Sequence, residues 1–262
     1  YILLGDRKAA GSPQTVMDYI YSQTLFIPII IFMIVIMASQ MVAMTVTNEK
    51  ADKTLETLLS APVKRVSVLT AKMVAAGIMA LVFAVFYMFG YLQYMDGFSG
   101  GMMRSAMDGG DAISSLGLAL GPSDFALIGI QLFLTILICL SLSLILGSMA
   151  ESQKQLQGLI TPMIFLVMIP YVTSMFLDPA TMPLPALLLI YAIPFTHTFI
   201  AAQNLFLNQY GLLAAGMAYQ GLCLVLSVTA AVKVFTTDRI FTLKMPGRRF
   251  GMHNIHKNGN RI

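Results

Sequence analysis

Side chains that could do chemistry are scarce in this chain, and they are clustered. The densest group is Thr47–Lys72, where Glu49, Lys50, Asp52, Lys53, Glu56, Lys64, Arg65 and Lys72 lie between two long apolar runs. Within it Leu55, Leu58 and Leu59 fall at i, i+3 and i+4, one face of a helix. Asp52 suits an N-cap, acidic Glu49 and Asp52 favour a helix start, and Pro62 stops the helix at Ala61. The spacing predicts a short amphipathic helix over 52–60, with Lys53, Thr54, Glu56 and Thr57 around the leucine stripe. Two readings fit such a helix. It is an anchor among lipid headgroups, or it is a knob gripped by another protein whose motion the flanking spans carry onward.

Other chemical signatures are missing. No Gly-x-x-x-x-Gly-Lys-Ser/Thr occurs, so no P-loop binds ATP on this chain. Gly97–Gly101 is glycine-rich but lacks the lysine, and reads as a flexible loop. His253 and His256 stand three apart in a basic tail with no further Cys, His or carboxylate, so no metal centre is expected. His197 reads as a hydrogen-bonded structural residue rather than a ligand. Cys139 and Cys223 sit inside apolar runs as small fillers. No catalytic residue is expected, and the chain by itself is not expected to be an enzyme.

Of 262 residues, 57% are hydrophobic and 11% charged. Soluble domains average roughly 25% charged, so the class is an integral membrane protein. A helix crosses a hydrocarbon core of about 30 Å with about 20 apolar residues. Leu25–Val46, Met73–Tyr94, Phe125–Met149, Leu159–Leu177 and Leu212–Val232 qualify, each free of Asp, Glu, Lys and Arg. They are too long and too uniformly apolar for barrel strands, so helices are expected. A proton- or sodium-coupled carrier commonly keeps ionisable groups mid-span; their absence favours an energy source outside the membrane.

Lys and Arg collect on the cytoplasmic side of short loops. Lys50, Lys53, Lys64, Arg65 and Lys72 follow the first span, and Lys233, Arg239, Lys244, Arg248, Arg249, Lys257 and Arg261 follow the last. Arg7 and Lys8 oppose that topology, and the loop 95–123 carries only Arg104 against Asp96, Asp108 and Asp111. The net charge of +4 is thereby a topology signal, and no nucleic-acid partner is expected. The expectation is an all-α, multi-pass protein of the plasma (inner) membrane, with the visible N-terminus outside and the tail inside. Its parts are an outer segment 1–23, spans 24–47, 73–94, 124–149, 159–177 and 211–234, inner loops 48–72 and 150–158, an outer loop 95–123, an outer hairpin 178–210 and an inner tail 235–262.

The hairpin is inferred from Pro194, which divides apolar Leu184–Ile193 from Phe195–Leu207. Each half is too short to span, and proline breaks a helix there. A broken re-entrant hairpin, entering from outside, keeps the basic tail inside. Such backbone survives at depth only against protein or a wet cavity, so it is either part of a pathway or a packing plug. On the first span Met33, Met37, Gln40, Met41 and Met44 share one face, suited to packing, lipid or an adaptable binding surface. Ala214, Ala218 and Gly221 form a small-residue stripe read as helix packing.

The charged loop resembles the first cytoplasmic loop of type-2 ABC exporter permeases. The similarity is carried by Glu49-Lys50, by Lys53-Thr54-Leu55-Glu56-Thr57-Leu58-Leu59-Ser60-Ala61-Pro62-Val63, and by Ala71-Lys72. Lys53 and Ala71 stand where that family often has Gly. Tyr191–Thr196 is similar to the family's Pro-Phe stretch before the last span, and Phe235–Thr242 to tails of sodium-exporter-like and multidrug-like members. The resemblance implies that 52–60, with Pro62, is a coupling helix seated in an ATP-binding cassette subunit. It implies a second permease copy, ATP and magnesium on the partner subunit rather than here, and the Met33–Met44 face at the subunit interface. It also implies a further span upstream of Tyr1. An ATP-independent carrier or channel and a non-transporting membrane scaffold are the competing functions.

Overall fold

The computed structural model describes residues 2–4, 7–9, 13–52, 67, 68, 70–75, 77–79, 81, 82, 86, 122–176 and 182–236. Two short strands, β1 (Ile2–Leu4) and β2 (Arg7–Ala9), pair antiparallel with Leu4 opposite Arg7. They are a local departure from the all-α expectation. Among the described residues the rest of the regular structure is helical, and includes α1 (Pro13–Ala51), α2 (Pro122–Met149), α3 (Gln153–Phe176), α4 (Leu184–Tyr191), α5 (Thr196–Phe199), α6 (Ala201–Phe206) and α7 (Tyr210–Thr236).

Among the described residues, four helices are long and apolar enough to cross a membrane: Thr24–Ala51, Ala126–Met149, Gln153–Phe176 and Tyr210–Val234. They correspond to four of the five expected spans. In the remaining one, 73–94, the described residues are helical, including an apolar stretch Thr70–Met79, and the rest lies outside the described residues.

Two boundaries differ from expectation. α1 is 39 residues long and starts at Pro13, so half of the expected outer segment 1–23 is helix. Proline is favoured at the first helical position because the missing N–H has no partner there anyway. α3 starts at Gln153, not near Leu159, and the expected loop 150–158 shrinks to Ala150–Ser152. Ser152 and Gln155 are the cause: Ser152 Oγ accepts from the Gln155 backbone N–H at 3.3 Å, while Gln155 Oε1 accepts from the Glu151 N–H at 2.9 Å. This is a capping box shifted by one residue.

The core lies where α1 crosses α2. Ile31, Ile34, Val35, Ala38, Val42 and Val46 of α1 pack with Ile136, Cys139, Leu140 and Leu144 of α2, Val167 of α3, and Phe195 and Phe199. Phe32 stacks on Tyr171 with centroids 4.6 Å apart, and Tyr171 in turn tilts against Phe199. Eight hydroxyls within the long helices return to their own helix: Thr45, Thr161 and Thr173 donate to carbonyls four residues back, and Ser141, Ser148, Ser174, Ser227 and Thr229 to carbonyls three back. Polar side chains so satisfied can sit in an apolar solvent.

Candidate functional site

Two polar assemblies occupy opposite ends of this bundle. At the loop end, side chains of α1 cap the last turn of α2, whose final carbonyls have no partner within the helix. Thr47 is fully buried, and its Oγ1 reaches Ala43 O at 2.9 Å and Gly147 O at 3.1 Å. Lys50 Nζ donates to Ser148 O at 2.7 Å, placing a cation at the negative end of α2. Gln153 Nε2 donates to Asn48 Oδ1 at 3.2 Å, tying α1 to the start of α3. Glu49 and Lys72, the two stems of the charged loop, form an ion pair. The contact is intimate because a Cβ on Gly147 would lie 2.6 Å from Ala43 O.

Asp52 stands exposed just past α1. Lys53, Thr54, Leu55, Glu56, Thr57, Leu58, Leu59 and Pro62 lie outside the described residues. The helix expected over 52–60 therefore has its stems described and its body not. Met33, Met37, Met41 and Met44 are all exposed on the face of α1 opposite the core, with Gln40 half-buried beside them. The face is adaptable apolar surface that no described residue covers.

At the other end the expected break is a helix–turn–helix: α4 ends at Tyr191, Ala192–Phe195 turn, and α5 and α6 follow. The two limbs differ. α4 has no buried residue, whereas Phe195 through Ala202 are all buried. Every carbonyl of the break is paired. Thr196 Oγ1 donates to Ile190 O at 2.6 Å and His197 Nε2–H to Tyr191 O at 3.2 Å. Tyr219 OH donates to Ala192 O at 2.6 Å, the Thr196 N–H to Ile193 O at 3.1 Å, and Gln220 Nε2 to Pro194 O at 2.8 Å. Non-helical backbone enclosed in an apolar fold requires this full accounting.

Gln220 is the centre of the assembly. Its Nε2 also lies 2.9 Å from Thr135 Oγ1 and 2.8 Å from Thr198 Oγ1, so two protons serve three acceptors. Thr198 donates its own proton to Gln131 O at 3.1 Å, so across the 2.7 Å contact between the hydroxyls Thr135 is the donor and Thr198 the acceptor. One directed chain thus joins α7, α2 and the hairpin. Farther out, Gln203 Nε2 donates to Ser174 O at 2.9 Å and ties α6 to α3.

His197 lies edge-on between Tyr191 and Tyr219, with ring centroids 5.5 and 5.4 Å away. Gly216 gives α7 room to approach it, since a Cβ there would sit 2.9 Å from His197 Nδ1 and 3.1 Å from His197 Cβ. Gly216→Ala is expected to cost about 1–3 kcal/mol as overpacking. The penalty should shrink in a His197→Ala background, which a double-mutant cycle of thermal unfolding measures.

Among the described residues, the stripe Ala214, Ala218 and Gly221 is not where α7 meets the other helices. Ala214 and Ala218 are exposed, and nothing lies within 4 Å of a Cβ on Gly221. The helix packs instead through Leu213, Gly216 and Gln220, one face at i, i+3 and i+7. Gln220, Thr135 and Thr198 were not singled out from sequence; a polar amide in an apolar run was the available signal. Among the described residues no group of three His, Cys, Asp or Glu could hold a metal ion.

Comparison with known proteins agrees with this architecture. No curated protein and no solved structure gives a match. The family described as ABC-2 family transporter protein has a model that matches residues 10–233, from just before α1 almost to the end of α7. That range takes in the loop stems, the four candidate spans and the hairpin alike. The chain belongs to the ABC-2 transporter family of membrane proteins, whose members are permease subunits of ABC transporters and work with an ABC ATPase subunit.

Proposed function

We propose that this chain is the permease subunit of an ATP-driven exporter. The helix over 52–60 is a coupling helix that seats in a cleft of a separate ATP-binding subunit. ATP and magnesium bind on that partner, and the chain itself hydrolyses nothing. Two permease copies pair through the face carrying Met33, Met37, Gln40, Met41 and Met44, and cargo leaves the cytoplasm between them. Lys50, Lys53, Lys64, Arg65 and Lys72 keep the loop on the inner side of the plasma membrane. Pro13 and the hairpin are then outside, with the hairpin dipping back into the outer leaflet about Pro194.

One observation carries the reading. α1 runs unbroken for 39 residues, about 58 Å at helical rise, from Pro13 through its apolar stretch to Ala51 at the mouth of the loop. Thr47, Lys50 and Asn48 bind that end to α2 and α3. A push on the loop is therefore delivered to three helices together, which is what a handle requires.

The test is co-purification. Tagged chain solubilised from its native membrane should bring down a P-loop ATPase. Leu55→Asp with Leu58→Asp should reduce that recovery at least about tenfold, corresponding to roughly 1.4 kcal/mol or more of lost docking energy, with an unchanged size-exclusion profile. Wild-type protein that recovers no P-loop ATPase would point to an autonomous carrier or channel. A recovered complex whose ATPase rate ignores every lipid and solute offered would point to a scaffold.

A further inference from the structure

The hydrogen-bond chain at the hairpin root leaves three polar atoms over. Gln131 is fully buried, and among the described residues neither its Nε2 nor its Oε1 has a hydrogen-bond partner. Gln220 is fully buried too, and its Oε1 has none, although its Nε2 is oversubscribed. Together they amount to two N–H donors and two carbonyl-type acceptors enclosed without solvation. A side-chain amide left in that condition is strongly destabilising.

The position of Gln131 is fixed by its helix. Ile128, Gln131 and Thr135 fall at i, i+3 and i+7 on one face of α2. Ile128 packs in a cluster with Ala201, Ala202 and Leu205 of the hairpin and Leu213 of α7, while Thr135 meets Thr198 and Gln220. The Gln131 amide therefore lies between these two contacts, on the side of α2 that faces the hairpin root. The Thr198 hydroxyl donates to the backbone carbonyl of Gln131 at 3.1 Å and accepts from Gln220 Nε2 at 2.8 Å, so the main chain of the one residue and the side chain of the other meet at Thr198.

We propose that this junction binds ordered water, held by the Gln131 amide and by Gln220 Oε1. Buried waters typically make about three hydrogen bonds to polar groups that lack other partners, and the three leftover atoms offer both donors and acceptors. The donor protons of Gln131 count against a metal cation, which would face N–H dipoles of the wrong sign. This inference is independent of the exporter reading and concerns the purified chain alone.

Two measurements decide it. A single-particle map of the purified protein at about 2 Å should show isolated density within hydrogen-bond reach, about 2.7–3.2 Å, of Gln131 Nε2 or Oε1. Gln131→Leu should lower the thermal midpoint by roughly 2 °C or more, because a satisfied network is lost. The proposal is overturned by an unchanged or raised midpoint, by a map that turns the Gln131 amide onto another side chain, or by density with five or six oxygens at about 2.4 Å, which marks a cation. If Gln131→Leu yields no folded protein, ¹⁵N-glutamine-labelled wild type replaces it. A cross-peak between an enclosed side-chain amide and water supports the site, and its absence from every enclosed glutamine overturns it.

Discussion

Gly147→Val is expected to abolish recovery of monodisperse protein. The Cβ it adds would lie 2.6 Å from Ala43 O, 3.1 Å from Ala43 Cα and 3.2 Å from Ala43 C. All three are backbone atoms, so no rotamer change relieves the clash and α1 must move off α2. That movement also breaks the capping contacts of Thr47 and Lys50 on Gly147 O and Ser148 O. Overpacking ordinarily costs about 1–3 kcal/mol. Two lost buried hydrogen bonds add about 1 kcal/mol or more each. The sum approaches the whole stability of many domains. Gly147→Ala should be intermediate. Gly129→Ala and Gly158→Ala are the controls, since nothing lies within 4 Å of either Cβ. They should be neutral or stabilising by up to about 1 kcal/mol, the ordinary helical preference for Ala over Gly. Size-exclusion profile and thermal midpoint read all four. Equal behaviour of Gly147→Ala and the controls would show that α1 and α2 do not meet at this distance.

Gln220→Met is expected to loosen the hairpin while leaving the long helices in place. Methionine has similar length but no donor. Thr135 and Thr198 keep their mutual hydrogen bond at 2.7 Å, but Pro194 O loses its partner. A buried carbonyl stripped of its donor costs about 1–3 kcal/mol. The effect should be local: hydrogen exchange should accelerate at residues 190–206 and stay unchanged across the contact between Ala43 and Gly147. Uniform acceleration along the chain would mean that Gln220 supports the bundle as a whole rather than the hairpin root.

The spans were legible because the signal for them is simple. A run of apolar residues as long as the one between Thr24 and Thr47 has one stable home, and its backbone has one stable form there. The break at Pro194 was legible for an equally local reason, since proline removes a donor wherever it falls. The faces of the helices were not. In water an exposed face is polar, but here both faces are apolar, because lipid and core make the same demand. Met33 and Met37 are exposed while Ile34 and Val35 are buried, and hydrophobicity does not distinguish them. The same blindness hides from the sequence that, among the described residues, α7 packs through Gly216 and Gln220 and leaves Ala214 and Ala218 exposed.

Capping across the bundle was invisible for another reason. Lys50 and Ser148 are 98 positions apart, and nothing in either neighbourhood announces the other. By contrast the starts at Pro13 and Ser152 carried local marks, proline at the first helical position and Ser-x-x-Gln, that could have extended α1 and α3 to their true lengths.

The pairing of the broken hairpin also bears on how the protein is made. Ile190 and Tyr191 find their hydrogen-bond donors within the hairpin itself, at Thr196 and His197. Ala192 and Pro194 find theirs only at Tyr219 and Gln220, which leave the ribosome more than twenty residues later. Until that last helix has been synthesised and inserted, two peptide carbonyls at the turn have nothing to accept from but the aqueous interior of the insertion machinery. On the proposed reading, with the turn dipping into the outer leaflet, the hairpin has its full set of donors only once the nascent chain extends through Gln220.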